Sequence, residues 1–277
     1  MFGSLAVAAA LTLAPSQGSI KLTNIRTTYG ELGPVRTDNK FLPGDLFFLA
    51  FDIEGISLNA EGKVSYSMSM EVANKAGVRV FPVPDPKEPG AAVKPVEREE
   101  YLLLGGGRLP ARAFVLLDIN QEPGPYTCKV TVTDRATKAT TEIRHNFEVL
   151  PRAFALVSLF TTSDPAGQHP TPPAGHTGQN LFIHARLVGY ARDKSNKTDA
   201  VVEFRIIDDA TKQPTLPRPI TVAVPKEIDK DAPVELSFPV PFNRAGSFVA
   251  EIVASDNMGG KKSAPMRLPI RVVESAR

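Results

Sequence analysis

The chain has 277 residues, with 32 Lys+Arg against 30 Asp+Glu and a formal net charge of +2. That balance excludes the concentrated basic surface of a nucleic-acid binder, and 42% hydrophobic with 22% charged residues excludes a disordered chain. With 25 Pro and 20 Gly, a breaker falls roughly every six residues, which excludes long helices and coiled coils and leaves short strands joined by turns.

The chain opens on an apolar run, Phe2 to Ala14. As a helix it would rise only ~20 Å, too short for a ~30 Å hydrocarbon core. It matches the apolar region of a secretory signal peptide, with small residues for cleavage between Ala14 and Gly18. The first cation is Lys21, so a positive leader end is missing. No Cys follows the run, which speaks against a lipid-anchored protein. Residues 1–18 are therefore read as a signal peptide and the protein as secreted or periplasmic, the alternative being an ordinary buried apolar segment at the N-terminus. No other stretch reaches 18 apolar residues, so no transmembrane segment is expected in the mature chain.

Period-2 alternation then marks strands along the chain. The expected strands are 19–28, 46–54, 63–73, 78–82, 100–104, 112–119, 125–134 and 139–149, then 153–162, 180–189, 199–208, 219–224, 234–239, 247–255 and 264–273. Three loops interrupt them: a Pro- and charge-rich insertion at 83–99, a Gly-rich turn at 105–112 and a polar loop at 163–179. The two sets are copies of one pattern. PGPYTCKVTVTD (123–134) matches AGSFVAEIVASD (245–256) at an offset of 122. GDLFFLAFDIEG (44–55) matches GQNLFIHARLVG (178–189) at 134, and VSYSMSMEV (64–72) matches AVVEFRIID (200–208) at 136. Each apolar stripe needs a second layer, and without helices that layer is another sheet. The expectation is an all-β chain of two tandem immunoglobulin-like β-sandwich domains, 19–150 and 151–277, joined by a short linker stiffened by Pro151.

PGPYTCKVTVTD resembles the penultimate-strand signature of bacterial immunoglobulin-like domains, where Pro-Gly-x-Tyr opens a strand ending in Val-x-Val-x-Asp. The layout resembles exported proteins of planctomycete-type bacteria with tandem immunoglobulin-like or fibronectin-III-like domains. The resemblance covers about 12 residues per copy, and the second copy departs from it at Ala245, Phe248 and Ser255. Gly124 suits a tight turn, and Tyr126 can bury its ring while its hydroxyl bonds nearby backbone.

The candidate chemistry is sparse. Cys128, the lone cysteine, lies on an inward stripe opposite Ala250 in the repeat and reads as a small buried hydrophobe. His169 and His176, with Asp164 close by, offer a metal pair, but H-x6-H in a loop fits no standard zinc spacing. His184 aligns with Ala50 on the outward face, and His145 lies on an outer strand. Asp134 and Asp256 recur at equivalent strand ends, where turn chemistry is the plain reading and calcium the alternative; Asp208-Asp209 reads alike. Gly105-Gly106-Gly107 lacks the Lys-Ser/Thr of a phosphate loop. Glu97, Glu99 and Glu100 read as a solvated charge run. With no Trp, and with Tyr66 and Tyr126 facing inward, a sugar platform would rest on the outward Phe48 and Phe182, which serve equally well against a neighbouring strand or domain. No catalytic, cofactor or metal residue is assigned. The expected role is a non-enzymatic structural or protein-binding module of the cell envelope or periplasm. The alternatives are a periplasmic strand-binding chaperone and a metal or carbohydrate protein using the 163–179 loop.

Overall fold

The computed structural model describes residues 19–88, 90–227 and 232–275, so the proposed signal peptide lies outside the described residues. Every regular element among them is a strand. In the first domain β1 (Lys21–Thr27), β3 (Leu46–Glu54) and β7 (Arg108–Leu116) form one antiparallel sheet in the order β1-β3-β7. The facing sheet runs β2 (Lys40–Phe41), β9 (Thr140–Val149), β8 (Gly124–Asp134), β4 (Lys63–Asn74) and β5 (Arg79–Phe81), with β6 (Val96–Tyr101) also on β4. The short β2 pairs parallel to β9.

The second domain repeats this order. Strands β10 (Ala155–Thr162), β12 (Asn180–Val188) and β15 (Val234–Pro241) face β11 (Ala174–His176), β18 (Met266–Val273), β16 (Gly246–Asp256), β13 (Ala200–Asp208) and β14 (Ile220–Ala223). Strand β17 (Lys261–Lys262) hangs on β16, and β11 pairs parallel to β18 as β2 does to β9. Three strands facing a longer sheet, with a split first strand whose second part joins the last, is an immunoglobulin-like sandwich.

The alternation explains the layers. On β3, Phe47, Leu49, Phe51 and Ile53 are wholly buried, and they meet Val64, Cys128, Val130 and Val132 of the other sheet in one core. Leu181, Ile183 and Leu187 do the same with Val202, Ala250 and Ile252. The first core ends at Val149 and the second begins at Phe154. Gly124 (φ 142°) and Gly246 (φ 150°) open the matching strands in conformations closed to other residues. Tyr126 then buries its ring, donates its hydroxyl to the Glu122 carbonyl at 2.7 Å and accepts from Gln121 Nε2 at 2.7 Å. Phe248 lacks the hydroxyl; instead the Arg244 guanidinium lies over its ring at 4.6 Å and pairs with Asp208 at 2.7 Å.

Three expectations need correction. Tyr66 faces Asp134 as Ala200 faces Asp256, so the third repeat is offset by 134 and not 136. A two-residue slip preserves which face each side chain takes, and alternation alone cannot detect it. The strand expected at 100–104 lies at Val96–Tyr101, beginning inside the supposed insertion, and β7 starts within the supposed Gly-rich turn. Glu97, Glu99 and Glu100 therefore sit on a strand: Glu99 pairs with Lys63 and Glu97 with Arg135. Charged side chains on both faces hid β6 from a period-2 reading. The short β2, β11 and β17 were also not expected.

The domains are locked together at a matched irregularity. Both first strands carry a bulge, at Asn24 (φ 51°) and Ser158 (φ 55°), which turns one N–H out of its ladder. The Ser158 N–H reaches across the boundary to Asp45 Oδ1 at 2.8 Å, and its hydroxyl donates to the Gly44 carbonyl at 2.9 Å. Asp45 also accepts the Leu46 N–H at 2.8 Å and pairs with Arg36 at 2.9 Å. The Arg36 guanidinium lies over Phe41 at 4.1 Å and Tyr29 at 4.8 Å. Tyr29 packs on the core of the second domain, and a Cβ on Gly30 would meet Phe160 Cβ at 2.5 Å. The short linker is thus reinforced by a buried polar clasp.

Candidate binding cleft

Most residues with chemistry to offer are already engaged. Asp134 is buried and takes N–H groups from Ser57 at 2.9 Å and Ala136 at 2.8 Å. Burial pushes its carboxyl up, but these donors outweigh burial and hold it below the usual carboxylate value. Asp256 repeats the arrangement with Ala191 and Gly259, both at 2.9 Å. Each carboxylate ties the turn after the penultimate strand to the loop after the second, which is more than the local turn expected. Asp208 accepts from Ala210 and Thr211 at 3.0 and 3.2 Å. The Arg244 ion pair, with those donors, lowers its pKa.

Cys128 is buried on β8, and desolvation pushes its thiol up to about 12. His184 corrects an expectation: it lies on the outward face yet is only 8% exposed. Its ring stacks on Phe160 at 4.7 Å, Nε2 lies 2.7 Å from Thr162 Oγ1, and a Cβ on Gly167 of the following loop would come within 3.6 Å of it. Burial lowers its pKa. Sequence alternation assigns a face, but not whether a loop folds back over it.

Asp164 binds the backbone of Ala166, Gln168 and His169 and pairs with His169 Nδ1 at 3.1 Å. His176 lies on β11, where its N–H donates to Gln179 Oε1 at 2.8 Å. No cluster of three His, Cys, Asp or Glu suited to a metal occurs among the described residues. His145 is half-buried against Asn39 Oδ1 at 3.1 Å, and burial lowers its pKa. Phe48 is buried and stacks on Phe114 at 5.2 Å, while Phe182 is half-buried. Tyr66 and Tyr126 are buried, as their stripes implied.

A repeated cleft brings together residues that motif reading does not pick out. In each domain the longer sheet overhangs the three-stranded one, and the sandwich gapes at that edge. In the second domain the gap is a cleft of about 490 Å³ lined by Ile206, Val240, Pro241, Phe242 and Phe248, with Leu216 and Ile220 at its mouth. Ile220 faces Phe204 across the ladder, so its side chain is on the core side, yet it is 49% exposed. Among the described residues, the smaller sheet ends at β15 on this side. The equivalent cleft in the first domain, about 320 Å³, is lined by Val72, Val115, Leu116, Leu117 and Tyr126. It is narrowed by Phe81 and Val83 and bordered by Arg186 and Pro233 of the second domain. The overhangs differ in chemistry: β6 sets Arg98 and Glu100 opposite Tyr66 and Val64, whereas β14 presents Ile220 and Val222. The β6 charges thus lie at the far end of β4 from the Val72 that lines the first cleft, which apolar Phe81 and Val83 close down instead. The nearest sequence signal was ITVAVP at 220–225, which reads as an ordinary strand.

No family model matches the chain, and no curated protein matches it. Among solved structures it is similar to a family 123 glycoside hydrolase from Clostridium perfringens, at 13% identity and a TM-score of 0.31, over 57% of this chain and 30% of that one. It is also similar to the C-terminal domain of the antigen I/II polypeptide BspA of Streptococcus agalactiae, at 9% identity and a TM-score of 0.30, over 91% and 100% of the two chains. A third is latent PorU from Porphyromonas gingivalis, at 11% identity and a TM-score of 0.37, over 98% of this chain and 22% of that one. The chain thus spans under a third of the hydrolase and of PorU. At these scores the likeness carries no functional argument, and the fold rests on the strand pairings themselves.

Proposed function

We propose that this chain is an exported, non-enzymatic binding module of the bacterial cell envelope, receiving an apolar partner segment at the open edge of its second domain. The observation that carries this reading is the apolar cleft of the second domain, with Leu216 and Ile220 exposed at its mouth, where the equivalent cleft of the first domain is narrowed by Phe81 and Val83. An apolar opening of several hundred Å³ with few polar groups is the usual form of a binding site. The non-enzymatic part is supported by where the candidate groups are engaged: Asp134, Asp256 and Asp164 hold backbone N–H groups, and Cys128 is sealed in the core. The outward N–H and C=O groups of Thr221 and Ala223 on the edge strand favour an extended segment as the partner, by strand addition.

The test is site-specific photocrosslinking in intact cells. A benzophenone side chain at Ile220 is expected to trap one discrete partner in the envelope fraction, and the same group at exposed Met258, at the other end of the domain, to trap none. Equal labelling at both positions, or recovery of the chain in the cytosol, would overturn the proposal.

A further inference from the structure

We propose that two copies of this chain join edge to edge through β7 of their first domains, as antiparallel neighbours in one continuous sheet. The strand pairs with β3 on one side and ends its sheet on the other. Just past it, the Leu117 N–H donates to the Asp45 carbonyl at 2.9 Å, and the Leu117 carbonyl accepts the Gly44 N–H at 3.2 Å. Alternate residues of an antiparallel ladder turn their backbone groups opposite ways, so Arg112, Phe114 and Leu116 offer theirs to the open side. The repeat closes the same edge. Phe48 faces Phe114 and Leu46 faces Leu116, as Phe182 faces Pro239 and Asn180 faces Pro241. Phe242 bonds Gln179 and Gly178 as Leu117 bonds Asp45 and Gly44, which puts Pro239 and Pro241 at the outward-bonding positions. Prolines there remove the N–H groups that an incoming strand needs. The first domain instead carries Phe114 and Leu116, 55% and 50% exposed. Its free row of backbone groups is matched by another strand.

That strand is β7 of a second copy, because β7 complements itself. Outward-bonding residues must meet outward-bonding residues, and only two-fold axes at Arg112, Ala113 or Phe114 keep most of Arg108–Leu116 paired. An axis at Arg112 sets two guanidinium groups against each other, and an axis at Phe114 leaves Arg108 without an acid. At Ala113, Arg108 lies opposite Asp118 of the second copy, Pro110 opposite Leu116, and Arg112 opposite Phe114. Asp118 is exposed, and the Arg108 side chain is 63% exposed with Asp52 at 3.6 Å. Glu31 holds Arg112 on the same outer face at 2.7 Å, so its stem is placed along the facing ring. Pro110 has no N–H and needs only to accept one from the Leu116 opposite. Symmetry makes each contact twice. The exposed charge pair selects the register more than it adds affinity, and an edge contact of this size makes a weak, concentration-dependent dimer. This edge is independent of the cleft in the second domain.

The test is sedimentation equilibrium of the full chain at rising concentration. The wild type is expected to pass from monomer to dimer. The variant F114P/L116P copies the edge of the second domain and removes only N–H groups turned away from β3; it is expected to stay monomeric with its melting temperature unchanged. D118K sets like charges opposite each other at both ends of the paired strands and is expected to weaken the dimer about tenfold, the scale for two exposed ion pairs lost together. If the proline variant melts early, D118K, at an exposed position beyond the strand, decides. A wild type monomeric at every concentration, association that F114P/L116P leaves in place, or a dimerisation constant insensitive to D118K would each overturn the inference.

Discussion

Asp45→Ala isolates the clasp between the domains. The carboxylate receives two backbone N–H groups at 2.8 Å and one guanidinium at 2.9 Å. The side chains of Arg36 and Asp45 are only 10% and 7% exposed. Removing one partner of such a pair leaves a buried charge, at a cost of about 3–5 kcal/mol. Arg36 Nε has no partner, but Nη2 donates to the Lys40 carbonyl at 3.0 Å and the guanidinium lies over Phe41 and Tyr29, so we expect a loss at the lower end of that range, about 3 kcal/mol. Asp45→Asn keeps an oxygen for both N–H groups and should lose about half as much. Replacing both partners by leucine should recover most of the loss, because no charge is then stranded. Far-UV circular dichroism in guanidinium is the assay, since the chain has no Trp. Asp45→Ala should lower the melting midpoint on the order of 10 °C. A loss below about 1 kcal/mol would refute the argument that this pair holds the domains.

Three other outcomes follow from the same geometry. Tyr126→Phe should cost about 1 kcal/mol in denaturant unfolding through loss of the Glu122 hydrogen bond. Asp134 has a folded pKa below its unfolded value, so its contribution is present at neutral pH and lost as pH falls below about 4 through the folded value. Pairwise acid titration should accordingly show Asp134→Asn less stable than wild type at pH 7, with the gap closing in acid. Cys128 should resist an aromatic disulfide reagent at pH 8 in native protein and react fully once unfolded; rapid native labelling would contradict its burial.

The layers were legible in the sequence because half-buried strands alternate strictly: Phe47, Leu49, Phe51 and Ile53 announce their face without help. The tyrosine corner was legible too, since Gly124 and Tyr126 need a particular backbone and a particular acceptor. What remained hidden shares one cause. Strand β6 is held by pairing to β4 and has no apolar face, so VEREEY carries no periodic signal. His184 is buried by a loop, and Asp134 reaches Ser57 across 77 positions; both are tertiary facts. The cleft is a gap between sheets, where the smaller layer ends at β15 among the described residues, and no residue pattern encodes it.

The bulge at Ser158 also gives the tandem arrangement a direction. Asn24 offers the same kink at the start of the first domain, where its side chain turns back to Asp52 at 3.0 Å. The complementary half of the joint is Gly44-Asp45, and its counterpart in the second domain is Gly178-Gln179, whose amide oxygen is occupied by the His176 N–H. A further unit stacked beyond the second would meet a neutral, engaged amide in place of a carboxylate. The fastening therefore does not propagate, and lengthening the array by simple recombination would yield a hinge where the natural junction is stiff.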